Sequence, residues 1–274
     1  MGRVIVLGSI NVDVESRIDS YPRPGEKVTA SSLERFAGGK GANQAVAARA
    51  LGGEVVMVGA VGDDDAGRES LNRLYRLGIK LEVERIPRTP TGTAVVLSDG
   101  MTNAIAVFPG ANHQVSARPL APLRGLGSAD LLLTQLETPV ETVAAAARYA
   151  AERGVRVVIN LAPAVDLPAD VFELADPLIV PEETLPLVTA SGASPRSLIV
   201  LRGKDGLDWD GEHHAAAVLP DTEVADTVGA TDALVGTLAA ALVRGDSRAE
   251  AARLALNAAT ENVRHHGAHR DAAF

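Results

Sequence analysis

The chain has 274 residues, 46% hydrophobic and 22% charged, with a formal net charge of -9. That is enough apolar material for a large α/β core, which excludes wholesale disorder, and the acidic balance argues against a nucleic-acid partner. Aromatic residues make up 3% and cysteine is absent, so base-stacking platforms, disulfides, thiolate metal sites and cysteine nucleophiles are excluded.

Met1-Gly2-Arg3-Val4-Ile5-Val6-Leu7-Gly8 holds too short an apolar run for a signal peptide. No stretch nears ~18 uninterrupted apolar residues, so a cytoplasmic protein without a membrane partner is expected. Arg3 to Gly8 reads as a buried strand. Val12 to Phe36 has alternating character, a Pro22-Arg23-Pro24-Gly25 turn and no helix signal. Gly41 to Leu51 reads as a helix stopped by Gly52-Gly53. Val55 to Val61 is a strand, and Ala66 to Leu77 a helix closed by Gly78. Thr91 to Phe108 reads as a hairpin turning at Asp99-Gly100. Leu131 to Thr134 is a strand, Pro139 to Arg153 a helix and Val155 to Asn160 another strand. Leu178 to Val180 and Leu198 to Leu201 are short strands, and residues 181 to 197 hold no more than a short helix. Ala230 to Val243 and Ser247 to His265 are the final helices. This alternation predicts an α/β fold over residues 1–274, with a mostly parallel central sheet flanked by helices. The insertions at about 12–36 and 91–108 would pair as a small β-sheet lid, whose exposed edges invite a homodimer.

All but four of the 26 basic residues are arginine, and two of the four lysines, Lys40 and Lys204, sit in glycine-rich loops. Gly38-Gly39-Lys40-Gly41-Ala42-Asn43-Gln44 leads straight into a helix, whose N-terminus suits an anion or hydroxyls. Neither a P-loop nor a dinucleotide turn is present. Asp226-Thr227-Val228-Gly229-Ala230-Thr231-Asp232 enters a second helix. Two readings fit it. In one, Thr231 caps the helix and Asp232 complements its dipole. In the other, amides around Gly229 to Thr231 hold a transferring phosphoryl group while Asp232 takes a proton from the attacking hydroxyl. Asn11 and Asp13 follow the first strand, where open α/β sheets bind ligands, and suit sugar hydroxyls.

Gly-Ser-Ile-Asn-Val-Asp at 8–13, Pro24-Gly25-Glu26, the Gly38–Ala45 block, Gly59-Ala60-Val61-Gly62-Asp63-Asp64, Gly110-Ala111-Asn112 and Asp226-Thr227-Val228-Gly229-Ala230-x-Asp232 occur in the order of the ribokinase-like (pfkB) carbohydrate kinases. The chain resembles that family along essentially its whole length. The resemblance implies ATP-dependent phosphorylation of a primary sugar hydroxyl, with ribose the nearest guess. It places Asn11, Asp13, Gly39, Lys40, Asn43 and Glu137 at sugar-binding positions and Asp232 at the catalytic base. Gly229, Ala230 and Thr231 fall on the anion hole. Lys204 and Gly206 fall near the nucleotide phosphates, and Asn257 near the adenine. Asp226, Val228 and Gly267 match positions that ligate a monovalent cation such as K+.

Departures gather on the nucleotide side. Thr231 stands where the family has glycine, strained if that position needs a positive φ and tolerated if it is helical. The family's Asn-x-x-Glu, which organises Mg2+ and its waters, has become Glu182-Glu183-Thr184-Leu185, leaving Glu182 or Glu183 to compensate. The threonine common just before the glycine-lysine turn is missing, with Leu201-Arg202 in its place. His265-His266-Gly267-Ala268-His269-Arg270 reads as a solvated terminal loop. These changes define a rival reading, a catalytically weak or inactive sugar-binding homologue.

Overall fold

The computed structural model describes residues 2–100, 102–116, 123–265 and 267–268. Its main sheet is nucleated by β1 (Arg3–Leu7), whose Val4, Ile5, Val6 and Leu7 are all buried. Such continuous burial marks a parallel strand covered on both faces. On one side of β1 lie β4 (Glu54–Gly62) and then β5 (Lys80–Ile86). On the other side lie β8 (Leu131–Thr134), β9 (Arg156–Asn160), β10 (Ala175–Pro181) and β11 (Leu198–Leu201), and every pairing from β5 to β11 is parallel. An antiparallel edge follows, β12 (Leu207–Trp209) and β13 (Glu212–His214).

Helices α1 (Lys40–Ala50), α2 (Asp65–Arg76), α6 (Ala230–Arg244) and α7 (Arg248–Asn262) bury Ala, Val and Leu side chains against one face. Helices α3 (Val140–Ala151), α4 (Ala169–Leu174) and α5 (Leu185–Ala190) cover the other. The chain therefore winds outward from β1 through α1 on one face, and from β8 through α3 on the opposite face. Right-handed crossovers in opposite directions require this, and the crevice at the strand ends between β1 and β8 is where such a sheet binds ligands.

The second sheet has the order β3-β2-β6-β7, from β2 (Asn11–Arg17), β3 (Ser32–Gly38), β6 (Gly92–Ser98) and β7 (Asn103–Phe108). It arises from the two insertions, and β6 with β7 form the hairpin turning at residues 99–100. Alternation divides it into two faces. Asp13, Glu15, Arg17, Ala94, Val96, Ile105 and Val107 face a cavity at the strand ends of the main sheet. Leu33, Val95 and Phe108, on the other face, are exposed.

Residues 181–197 hold one 3-10 turn, Glu182–Thr184, and the six-residue α5. Four elements lack a local signal: β5, whose Lys-Leu-Glu-Val-Glu-Arg-Ile mixes charge into an edge strand, the three-residue β12 and β13, and the six-residue α4. Among the described residues no helix is long and apolar enough to cross a membrane.

Candidate active site

Two helix N-termini meet at one cavity of about 530 Å³. The first belongs to α1, which starts after Gly39 at φ 91. A Cβ on Gly39 would come within 2.7 Å of the Asn11 backbone nitrogen, so only glycine lets this turn press against the segment leaving β1. Glu137, just past β8, closes the same corner: its Oε2 accepts from the Lys40 amide at 3.1 Å and from Ser9 Oγ at 2.5 Å. Asn112 fixes the segment between β1 and β2. Its Oδ1 accepts from the Ile10 amide at 3.0 Å, and its Nδ2 donates to Asn11 Oδ1 at 2.7 Å.

The second N-terminus belongs to α6. Gly229 precedes it at φ 77 and ψ -4, a left-handed conformation that glycine adopts freely. Of the next three amides, that of Ala230 donates to the Thr227 carbonyl at 3.3 Å, and those of Thr231 and Asp232 belong to the first turn and have no helical acceptor four residues back. Thr231 is not the cap. Gly229 is, and no side chain caps this helix. The helix starts at Ala230, as the sequence predicts, and Thr231 is helical, exposed and unstrained.

Asp232 in that first turn is 5% exposed. Its Oδ2 accepts from Asn43 Nδ2 at 3.1 Å and its Oδ1 from Gln44 Nε2 at 2.9 Å, both from α1. Burial pushes its carboxyl up, opposed by the Lys40 charge and the two amide hydrogen bonds. Asp13 is pushed up to about 7, first by burial and then by the negative charges of Glu137 and Asp232. Asp13 Oδ1 and Asn43 Oδ1 are buried without a protein partner. Acceptors left unpaired in a cavity wall are suited to ligand hydroxyls.

The cavity gathers Asn11, Asp13, Gly39, Lys40, Asn43, Glu137, Asp226, Val228, Gly229, Asp232 and Gly267. Residues 11–43, 137 and 226–267 thus converge although they are far apart in the chain. Asp226 ties two loops together, its Oδ1 accepting from the Val228 amide at 2.9 Å and its Oδ2 from the Gly267 amide at 3.0 Å. Each oxygen keeps a lone pair, so this loop pair fits a monovalent cation. Lys204, Gly206 and Asn257 do not line the cavity: Lys204 is exposed in a 3-10 turn after β11, and Asn257 is exposed on α7.

Of the two carboxylates expected to serve Mg2+, Glu183 is exposed in the 3-10 turn beside Glu182. Glu182 is ion-paired with Arg202, which also donates to Asp208 Oδ2 at 2.7 and 2.9 Å. Arg202 and Glu182 form a charged pair, and that carboxylate is committed. Leu185, where the family has glutamate, packs on the second core. Among the described residues no cluster of three or more His, Asp or Glu could hold a metal. His266, His269 and Arg270 of the closing loop lie outside the described residues.

The sequence matches the pfkB family of carbohydrate kinases over residues 1–273. The chain belongs to that family. It is similar to ribokinase from Bacillus subtilis, 36% identical over 279 residues, covering 98% of this chain and 95% of the relative. Ribokinase from Lactococcus lactis is 34% identical over 280 residues, covering 98% and 93%. The structure of Arabidopsis thaliana ribokinase complexed with ribose and ATP aligns with a TM-score of 0.84 at 28% identity, covering 98% of this chain and 95% of that one.

Sequence reading passed over Ser9, Asn112, Gln44 and Gln135 as site residues. The first three lie inside the quoted motifs. Gln135 shows only as a polar residue in the apolar run Leu131-Leu132-Leu133-Thr134-Gln135-Leu136.

Proposed function

We propose that this carbohydrate kinase transfers the γ-phosphoryl group of ATP to a primary hydroxyl of ribose. The observation that carries this reading is the buried Asp232 in the first turn of α6, in one cavity with unpaired acceptors on Asp13 and Asn43. Asn11, Asp13, Gly39, Lys40, Asn43 and Glu137 hold the sugar so that one hydroxyl faces Asp232. The hydroxyl oxygen forms a bond to the γ-phosphorus, the bond to the ADP oxygen breaks, and Asp232 takes the hydroxyl proton. The amides of Gly229, Ala230 and Thr231 stabilise charge on the moving phosphoryl group. Lys204, Gly206 and Asn257 serve the nucleotide, and Mg2+ enters as part of the MgATP substrate.

Asp226 with the backbone of Val228 and Gly267 would hold K+, which supplies positive charge beside the anion hole. The whole chain works as one α/β domain in the cytoplasm, and the small sheet excludes water as its lid. The exposed Leu33, Val95 and Phe108 on the outer lid face support a homodimer. The rival, an inactive sugar binder, loses one of its supports because Thr231 is helical and exposed and keeps its amide.

Sugar-dependent ADP release, measured across pentoses, hexoses and nucleosides with and without K+, tests the reading. Asp232→Ala is expected to lower kcat by ~10²–10⁴-fold while ribose still binds. Ribose binding without turnover by the wild type would establish the rival.

A further inference from the structure

Behind Asp232 lie two buried glutamines that the reaction does not use. Gln44 and Gln135 are both 0% exposed, and neither lines the cavity. Gln44 Nε2 donates to Asp232 Oδ1 at 2.9 Å, and Gln135 Nε2 donates to Gln44 Oε1 at 2.7 Å. The three residues come from α6, α1 and the segment after β8, so the chain of bonds crosses from helix to helix to sheet. Amides in an apolar interior are costly unless their polar ends are used. Gln135 leaves its own Oε1 without a protein partner while committing its donor end to Gln44.

A primary amide has one donor end and one acceptor end. If the Gln44 amide turned over, its carbonyl would face a carboxylate oxygen, and its NH2 would face the NH2 of Gln135. The first contact would repel an ionised carboxylate, and the second would be repulsive with Gln135 as it stands. On the reading that Asp232 accepts the hydroxyl proton, we propose that Gln44 and Gln135 are its positioning residues. Gln135 takes up the acceptor end of the Gln44 amide, and Gln44 donates to Asp232 Oδ1, which favours the ionised carboxylate. The charged groups around Asp232 are Lys40, which favours the ionised form, and Glu137 and Asp13, which oppose it. The relay tips that balance toward the base.

The test compares kcat/KM for ribose against pH in wild type, Gln44→Met, Gln135→Met and the double variant. Methionine keeps length and removes the amide. Removing a hydrogen bond from a carboxylate favours its protonated form, so the acid limb is expected to move to higher pH in Gln44→Met. At a pH on the wild-type limb, kcat/KM then falls roughly tenfold or more relative to the variant's own plateau. Gln135→Met moves the limb the same way by less, and adds nothing in the Gln44→Met background because it acts only through Gln44. KM for ribose at the plateau stays unchanged. Limbs at the wild-type position in both single variants, or additive shifts in the double variant, would overturn the proposal. Should Gln44→Met not fold, Gln135→Met decides alone, since it does not touch Asp232.

If the wild type does not turn ribose over, the function reading fails and the relay is tested separately. The Asp232 carboxyl is then titrated by carbon-13 NMR in aspartate-labelled protein and assigned with Asp232→Asn. Its midpoint rises in both single variants if the relay exists, and stays where it is in both if it does not.

Discussion

Replacing Asp13 with asparagine isolates the cost of keeping a carboxylate in the wall of the proposed sugar pocket. Burial pushes this carboxyl from 3.8 to about 7, reinforced by Glu137 and Asp232 and opposed by Lys40. The folded state thus holds the proton more tightly than the unfolded chain does. Stability from this group is full below the unfolded value and is lost as pH rises through about 7. At about 1.36 kcal/mol per unit, the whole loss is about 4 kcal/mol, of which roughly 2–3 kcal/mol falls between pH 5 and pH 8. Asparagine has a similar shape and does not titrate. Urea unfolding of both proteins at pH 5 and pH 8 should therefore show the stability of Asp13→Asn relative to wild type growing by roughly 2–3 kcal/mol at the higher pH. Ribose affinity, read by calorimetry, should fall in the same variant, because an acceptor for sugar hydroxyls has gone. An equal stability difference at both pH values would refute the reasoning, since it would mean Asp13 ionises in the fold as easily as in the unfolded chain.

Gly229→Ala puts a Cβ 2.5 Å from the Ala268 Cα at a φ of +77, so the turn feeding α6 must shift. Steady-state kinetics should show kcat falling by ~10²–10³, the size of losing one preorganised donor, while equilibrium ribose binding persists. Thr231→Gly should leave kcat within about twofold and cost a few tenths of a kcal/mol in thermal unfolding, because the side chain is exposed on a helix. A large rise in kcat for that variant would mean the threonine obstructs transfer after all.

Most of the layout was legible because its signals are local. Glycine stops after residues 51, 77 and 153, the Asp99-Gly100 turn and the apolar strand runs each report on their own few residues. Edge elements such as β5 and β13 were not legible, since their exposed side chains remove the hydrophobic signature. Of the two readings of residues 226–232, Thr231 as cap followed from residue preference, whereas the left-handed φ of Gly229 puts the cap at Gly229. The site motifs were readable as residue types suited to sugar and phosphate. Which of them touch was not. Asp13 and Asp232 are far apart in sequence, and nothing local states that each raises the other's proton affinity.

The order of residues alone settled the α/β class, the two insertions that form the second sheet and the polar groups available for the chemistry, because those depend on periodicity, turn chemistry and side-chain type. The meeting of two helix N-termini over one cavity, the Glu182–Arg202 pair and the Gln135–Gln44–Asp232 chain arise only once the strands are ordered. Chain winding reverses at β1, and that reversal carries segments distant in sequence to the same end of the sheet, where burial and mutual charge give ordinary carboxylates their unusual proton affinities.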